Sequence, residues 1–130
     1  MVTDDLRLVP LFKNLTDDQR SRAAERLTEV HIDLGAVIAR KGDFAYHLFV
    51  VMEGTAAVII DDENVSSLGP GSTFGEIGIL EHGRRTANVV AATPMRLLTM
   101  TMWDFDELAE DMPEFAAHAR SMAQHRATRT

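Results

Sequence analysis

The 130 residues contain no cysteine. That absence excludes a disulfide scaffold, a thiolate zinc site and a cysteine nucleophile, and it fits a reducing compartment. Positive charge is scarce: thirteen Lys and Arg stand against twenty Asp and Glu, a formal net charge of −7. A protein that grips nucleic-acid phosphates normally carries a basic face. Here the basic residues gather only in a thin group between Arg120 and Arg129, so no nucleic-acid partner is expected. No apolar run nears the ~20 residues that a membrane-spanning helix requires. The opening Met1-Val-Thr-Asp-Asp5 is acidic and has no signal-peptide pattern. Direct membrane insertion is therefore not expected, and any spanning part of the protein lies outside this chain.

Catalytic patterns are missing as well. The five histidines, at 31, 47, 82, 118 and 125, lack metal-ligand spacing, and a metal-dependent β-roll enzyme needs a His-x-His pair with a later carboxylate and histidine. His118 and His125 share a helix face, but no third ligand accompanies them. Ser66, Ser67 and Ser72 form no nucleophile elbow. The glycines at 69, 71 and 75 match neither the dinucleotide fingerprint nor a Walker A loop. The chain does not read as an enzyme, and no cofactor or metal is called for.

What is present is a single domain with an ordinary soluble composition, 45% apolar and 25% charged. Thr16-Asp-Asp-Gln19 reads as a capping box, and Ala23, Ala24 and Leu27 give the following helix, over 17–28, an apolar stripe. Leu8, Leu11, Phe12 and Leu15 ahead of it form an apolar lead-in. From 30 to about 100 short β-rich runs alternate with glycine corners at 35, 42, 54, 69, 71 and 75, the texture of a roll, sandwich or barrel. Leu48 to Met52 is a continuous apolar run, the mark of a buried strand, and Ala56 to Ile60 resumes it. Asp61 to Asn64 is a polar tip joining two strands. Ala87–Ala91 and Met95–Met102 are further strands. Met95, Met100, Met102 and Met122 read as gap-filling core.

Thr101-Met-Trp-Asp104 is a second capping signature, opening a short helix over 103–109 with Trp103 as a packing anchor at its start. Pro113 suits the first turn of another helix, in which Phe115, Ala116, Ala119, Met122, Ala123 and Arg126 share one face. Arg126 on an apolar face is unusual; its stem could also cover core while its charge reaches water. The predicted organisation is an N-terminal helical segment (1–29), an antiparallel β-roll (30–102) and two C-terminal helices (103–127), a mainly β fold with flanking helices.

The informative stretch runs from Gly71 to Val89, Gly-Ser-Thr-Phe-Gly-Glu-Ile-Gly-Ile-Leu-Glu-His-Gly-Arg-Arg-Thr-Ala-Asn-Val. Gly75-Glu-Ile-Gly78 has glycines at both ends of a short turn, where backbone can approach a ligand and a helical turn can aim free N–H groups at an anion. On a strand, Arg85 shares a face with Ala87, Val89 and Ala91, so parity points it inward and Arg84 outward. A buried arginine needs an anion. Glu76 could serve in a structural ion pair, and so could a ligand phosphate, which suits the guanidinium fork. Glu76 could also accept from a sugar hydroxyl.

This stretch resembles the phosphate-binding cassette of the cyclic-nucleotide-binding domain family: Phe-Gly-Glu-apolar-small-apolar-Leu, a variable loop, then Arg-Thr/Ser/Ala-Ala-x-apolar. Phe74, Gly75, Glu76, Ile77, Gly78, Ile79, Leu80, Arg85, Thr86, Ala87 and Val89 fill it. Val9-Pro-Leu-Phe12 resembles the family's opening segment; Lys41-Gly-Asp43, Glu53-Gly54 and Gly69-Pro-Gly71 resemble its spaced turns; Asp104-Phe105 and Pro113 resemble its closing helices. Gly83-Arg-Arg-Thr-Ala87 is most like the cyclic-nucleotide-gated and hyperpolarisation-activated channels, and the short 61–64 hairpin is like that of bacterial potassium-channel relatives.

The resemblance implies a ligand, cyclic AMP or cyclic GMP. Arg85 would pair with the cyclic phosphate and Glu76 would accept from the ribose 2′-hydroxyl. Phe74 and the amides around Gly75, Ile77 and Gly78 would face the nucleotide, Thr86 would add a hydroxyl, and Arg126 would reach the base. The break at Asp111-Met112-Pro113 would be the hinge on which the last helix closes. It implies a cytoplasmic regulatory domain whose effector, a channel or transporter first, lies outside this chain. A roll that binds no nucleotide and the sensor domain of a transcription factor or other enzyme are the alternatives.

Overall fold

A computed structural model describes residues 5–75 and 84–129, with side chains described as far as Met122. Its elements are α1 (Asp17–Glu25), β1 (Thr28–Ile32), β2 (Val37–Ala39), β3 (His47–Glu53), β4 (Ala56–Ile60), β5 (Glu63–Leu68), β6 (Thr73–Phe74), β7 (Asn88–Ala91), β8 (Met95–Thr101), α2 (Met102–Asp111) and α3 (Pro113–Arg129). The strands form two antiparallel four-stranded sheets, ordered β1-β8-β3-β6 and β2-β7-β4-β5. This is the predicted antiparallel roll with flanking helices.

Layering follows from strand parity. Along β3, Leu48 and Val50 are buried against the helices, and Val51 is buried inside the roll. Along β8, Leu98 and Met100 face the helices while Met95 and Leu97 face the roll. Both strands are therefore apolar on both faces, which is why 48–52 reads as an unbroken apolar run rather than an alternating one. The helical side is closed by Phe12, Phe105 and Phe115, with Phe12 stacked on Phe115 at 5.7 Å between centroids and Phe105 tilted against it at 5.6 Å. Met95 and Met100 are buried, and Met102 and Met122 pack on the helical core from its rim, filling the roles expected of them.

Local signals explain the ends of the elements. Gln19 donates its amide to the Thr16 hydroxyl at 3.2 Å, and Thr16 donates its amide to the Gln19 side chain at 2.9 Å, a complete capping box. The helix stops at Glu25, short of the predicted 28, because the Arg26 and Leu27 amides turn back three residues, to Ala23 and Ala24, and Thr28 already pairs with Thr99. The β4–β5 hairpin turns on Asp61 and Asp62 alone, with φ of 52° and 66°. Two left-handed residues match the twist of the paired strands, and Asp tolerates that conformation better than most side chains. Thr101 caps α2 by accepting from the Asp104 amide at 3.1 Å. Between α2 and α3, Met112 leaves the helical region (φ −132°, ψ 76°), since the residue before a proline avoids it.

Two side chains differ from expectation. Leu8 is 83% exposed; the lead-in is anchored instead by Leu6, Val9, Leu11 and Phe12, all buried, with Leu15 packed at the rim. Trp103 is 60% exposed and so is no core anchor, because its position on the first turn of α2 faces away from the buried Phe105 and Leu108. A third feature was not anticipated. Arg20, 7% exposed, donates to the carbonyls of Lys13 (3.3 Å) and Leu15, with a longer contact to Phe12, and its other nitrogen meets Asp17 at 2.5 Å. It ties the lead-in, which has no regular backbone ladder, to α1. Hydrogen bonds from a charged donor contribute about 1.5–3 kcal/mol. Arg20→Met is expected to lower the melting temperature by roughly 6–15 °C, whereas Leu8→Ser is expected to change stability by no more than about 0.5 kcal/mol. Thermal unfolding followed by circular dichroism reads both.

Candidate functional site

The site lies where the end of β6, the start of β3 and the segment leading into β7 meet. Gly75 follows β6 with φ of +90°, a conformation available to glycine at little cost. A Cβ placed there would lie 2.5 Å from Arg85 Nη1 and 2.7 Å from the His47 carbonyl oxygen. The absence of a side chain at 75 is thus what lets the Arg85 guanidinium lie against the backbone.

Arg85 is half-buried. Its Nη2 donates to the His47 carbonyl at 2.5 Å, and the guanidinium carbon lies 5.7 Å from the centroid of the Phe49 ring. The backbone of Arg85 is fixed as well: its amide donates to Asp43 O at 2.7 Å and its carbonyl accepts from the Gly42 amide at 2.9 Å. Arg84 turns the other way. It is exposed, donates to the Gly42 carbonyl at 2.7 Å and lies 4.1 Å over the Phe44 ring. Inward Arg85 and outward Arg84 agree with the parity reading, yet its premise needs correcting. The strand begins at Asn88, not at Thr86 or Ala87, and 84–85 are held by an isolated bridge from Arg84 to Phe44 and the two Arg85 backbone bonds. Asn88 takes part in the same clasp, accepting from the Lys41 amide at 2.8 Å.

The other sequence-predicted residues are distributed as follows. Phe74 is buried in the core of the roll, stacked on Phe49 at 4.9 Å; its ring supports the floor under Arg85 through that shared neighbour. Thr86 is exposed. Glu76, Ile77 and Gly78 lie outside the described residues, and so does the side chain of Arg126, whose backbone belongs to α3. The structure thus brings Gly75 and Arg85 together around His47 and Phe49. Sequence reasoning missed those last two. Phe49, like Val51, is a residue of the apolar 48–52 run that faces the roll, and parity along β3 is the signal that could have found it. His47 holds Arg85 through its carbonyl, for which no sequence signal exists, and its ring packs against Phe49. Among the described residues no group of His, Asp or Glu is arranged to hold a metal ion, and no helix is long and apolar enough to cross a membrane.

Chemically, this is a cation presented on a rigid rim beside a glycine whose backbone is bare. A guanidinium offers several donors in one plane, a geometry that suits an anion of phosphate size.

Curated relatives include a cyclic nucleotide-gated potassium channel of Rhizobium etli, 36% identical over 118 residues, which span 91% of this chain and 33% of the channel. The human potassium/sodium hyperpolarization-activated cyclic nucleotide-gated channel 1 is 33% identical over 105 residues, 81% of this chain and 12% of that one. This chain thus spans a third or less of these relatives. Among solved structures, the Catabolite Activator Protein of Thermus thermophilus superposes with a TM-score of 0.85 at 26% identity, over 92% of this chain and 59% of that one. A putative cyclic nucleotide-binding protein of Geobacter metallireducens shares the fold, with a TM-score of 0.84 at 22% identity over 96% and 94% of the two chains. The family profile described as "Cyclic nucleotide-binding domain" matches residues 29–112, which contain both sheets from β1's second residue onward, the cassette and α2, and the chain therefore belongs to the cyclic nucleotide-binding domain family.

Proposed function

We propose that this chain senses a cyclic nucleotide, cyclic AMP or cyclic GMP, and relays its occupancy through α3 to an effector outside the chain. The observation that carries the reading is the Gly75–Arg85 pair: a half-buried guanidinium lodged where a glycine leaves the space for it. Arg85 pairs with the cyclic phosphate. Glu76 accepts from the ribose 2′-hydroxyl, the amides around Gly75, Ile77 and Gly78 complete the cradle, Thr86 contributes its hydroxyl, Phe74 supports the floor and Arg126 reaches the base. The domain holds the nucleotide without turning it over.

The coupling rests on Met112. It separates α2 from α3, and its carbonyl accepts from both Phe115 and Ala116, at 3.0 and 3.2 Å, so the two helices meet at a single non-helical residue. Nucleotide that favours one placement of α3 biases a two-state element, and the difference in affinity between the two states is the free energy delivered to the effector. A channel at the cytoplasmic face of a membrane is the effector favoured by the Rhizobium etli and human relatives. A kinase regulatory or transcription-factor sensor is the second reading, supported by relatives of both kinds: a cAMP-dependent protein kinase regulatory subunit of Eremothecium gossypii and the Thermus Catabolite Activator Protein.

Calorimetric titration with cyclic AMP and cyclic GMP tests the site. Arg85→Ala is expected to cost about 2–4 kcal/mol, roughly 30- to 1000-fold in affinity. Saturable wild-type binding that Arg85→Ala leaves intact contradicts the assignment, and so does the absence of binding and of thermal stabilisation by either nucleotide. Gly75→Ala tests the cradle apart from the charge. Its Cβ strains the backbone, on the order of 1–3 kcal/mol, and displaces the guanidinium, so affinity is expected to fall although Arg85 is retained; unchanged affinity in a folded Gly75→Ala protein argues against the arrangement.

A further inference from the structure

Three exposed aromatic rings and a cation form a continuous ladder on the outside of the domain. Arg84 lies 4.1 Å over Phe44, Phe44 is 6.0 Å from Tyr46, and Tyr46 is stacked on Trp103 at 5.9 Å with an interplanar angle of 9°. All three rings are about half exposed or more, at 52, 46 and 60%, in a chain with only eight Phe, Trp and Tyr residues in total. Large apolar side chains left in water need a reason when they are contiguous. Core packing does not supply one here, because none of the three is buried.

The two ends of the ladder supply it. One end is Arg84, covalently next to Arg85. The other is Trp103, on the first turn of α2, the helix that leads to Met112. The backbone runs parallel to the rings: Gly42 and Asp43 hold the main chain of Arg85 on both sides, His47 holds its side chain, and Tyr46 O accepts from the Met102 amide at 2.8 Å. The segment 42–47 is therefore fastened at one end to the arginine pair and at the other to the start of α2. Neighbouring rings 4.5–7 Å apart interact with a preferred geometry, so the ladder has a defined arrangement rather than a loose one.

We propose that the segment 42–47, braced by the Arg84–Phe44–Tyr46–Trp103 ladder, is a strap that carries displacement of Arg85 directly to the N-terminal end of α2. This inference rests on the reading of Arg85 as the phosphate ligand and adds a route that does not pass through the nucleotide or α3. A phosphate that binds the Arg85 guanidinium shifts the arginine that Gly42, Asp43 and His47 hold. That shift passes to 42–43 through the backbone bonds and to Phe44 through Arg84, and it reaches Trp103 through Tyr46. Phe44 and Tyr46 touch no ligand in this scheme; they are positioning residues.

Trp103 is the only tryptophan, so its emission reads the end of the strap. The experiment titrates cyclic AMP into the full chain, following binding by calorimetry and Trp103 by emission wavelength and iodide quenching. It compares the wild type with Phe44→Ala, which breaks the ladder next to Arg84, and with Phe44→Tyr, which keeps a ring there. The expected result is an emission shift in the wild type that saturates together with the heat, is lost in Phe44→Ala although cyclic AMP still binds, and is retained in Phe44→Tyr. Binding with a silent Trp103 in the wild type overturns the strap, as does a full emission response in Phe44→Ala. Absence of binding in the wild type overturns the sensor reading and the strap with it, and calorimetry distinguishes that failure from the others. Phe44 is exposed, and nucleotide heat from the variant shows that it has folded.

Discussion

The constraint on which this molecule depends is a sheet with no wet face at its centre. β3 and β8 present Leu48, Val50, Leu98 and Met100 to the helices and Val51, Met95 and Leu97 to the interior of the roll. A strand buried on both sides cannot slip by one residue without exchanging its two apolar faces, and it cannot tilt without disturbing both cores, which are packed too densely to deform smoothly. The helices and the layer that holds Arg85 are thereby built on one rigid element. His47 and Phe49, which hold Arg85, and Leu48 and Val50, which carry the helices, are consecutive residues of that strand. Any rearrangement at the arginine begins within one residue of the packing that supports the C-terminal helices.

Around this element the site uses little chemistry. The arrangement of Gly75 and Arg85 is mutual: the bare backbone at 75 makes room for the guanidinium, and the guanidinium occupies the volume that a Cβ would take. The arginine is further oriented by a carbonyl and by the face of an aromatic ring. A cation held this way, half out of water, suits a single phosphate group better than a polyanionic partner, and the chain's net charge of −7 disfavours non-specific attraction of larger anions.

Much of this was legible in the sequence, for reasons that can be named. Both capping signatures, at Thr16 and Thr101, specify local hydrogen bonds and were found where they stand. The apolar run 48–52 reads as a doubly buried strand because periodicity disappears when both faces are dry. The inward direction of Arg85 was reached by strand parity, although the backbone at 84–87 is a clasp rather than a strand; tertiary bonds from Gly42, Asp43 and Phe44 impose the same alternation. What was not legible depends on distant partners. Arg20, three residues after Asp17, looks like half of an ordinary surface pair, and only the folded lead-in reveals the carbonyls that bury it. Leu8 and Trp103 carry the hydrophobicity of core residues but are exposed by the local geometry of a turn and a helix start. Tyr46 and Trp103 are far apart in sequence, and nothing in either segment announces that their rings stack. The role of the cassette came from an ordered pattern of residues rather than from any single side chain, and Glu76, Ile77, Gly78 and the Arg126 side chain stand as proposals on that pattern.

The most direct test of the central claim observes the guanidinium itself. Arginine side-chain Nε–Hε resonances, assigned by substitution, can be followed by NMR as cyclic AMP is added. The account predicts that the Arg85 resonance moves and saturates with the nucleotide. Saturable binding of cyclic AMP with the Arg85 resonance unmoved would contradict it.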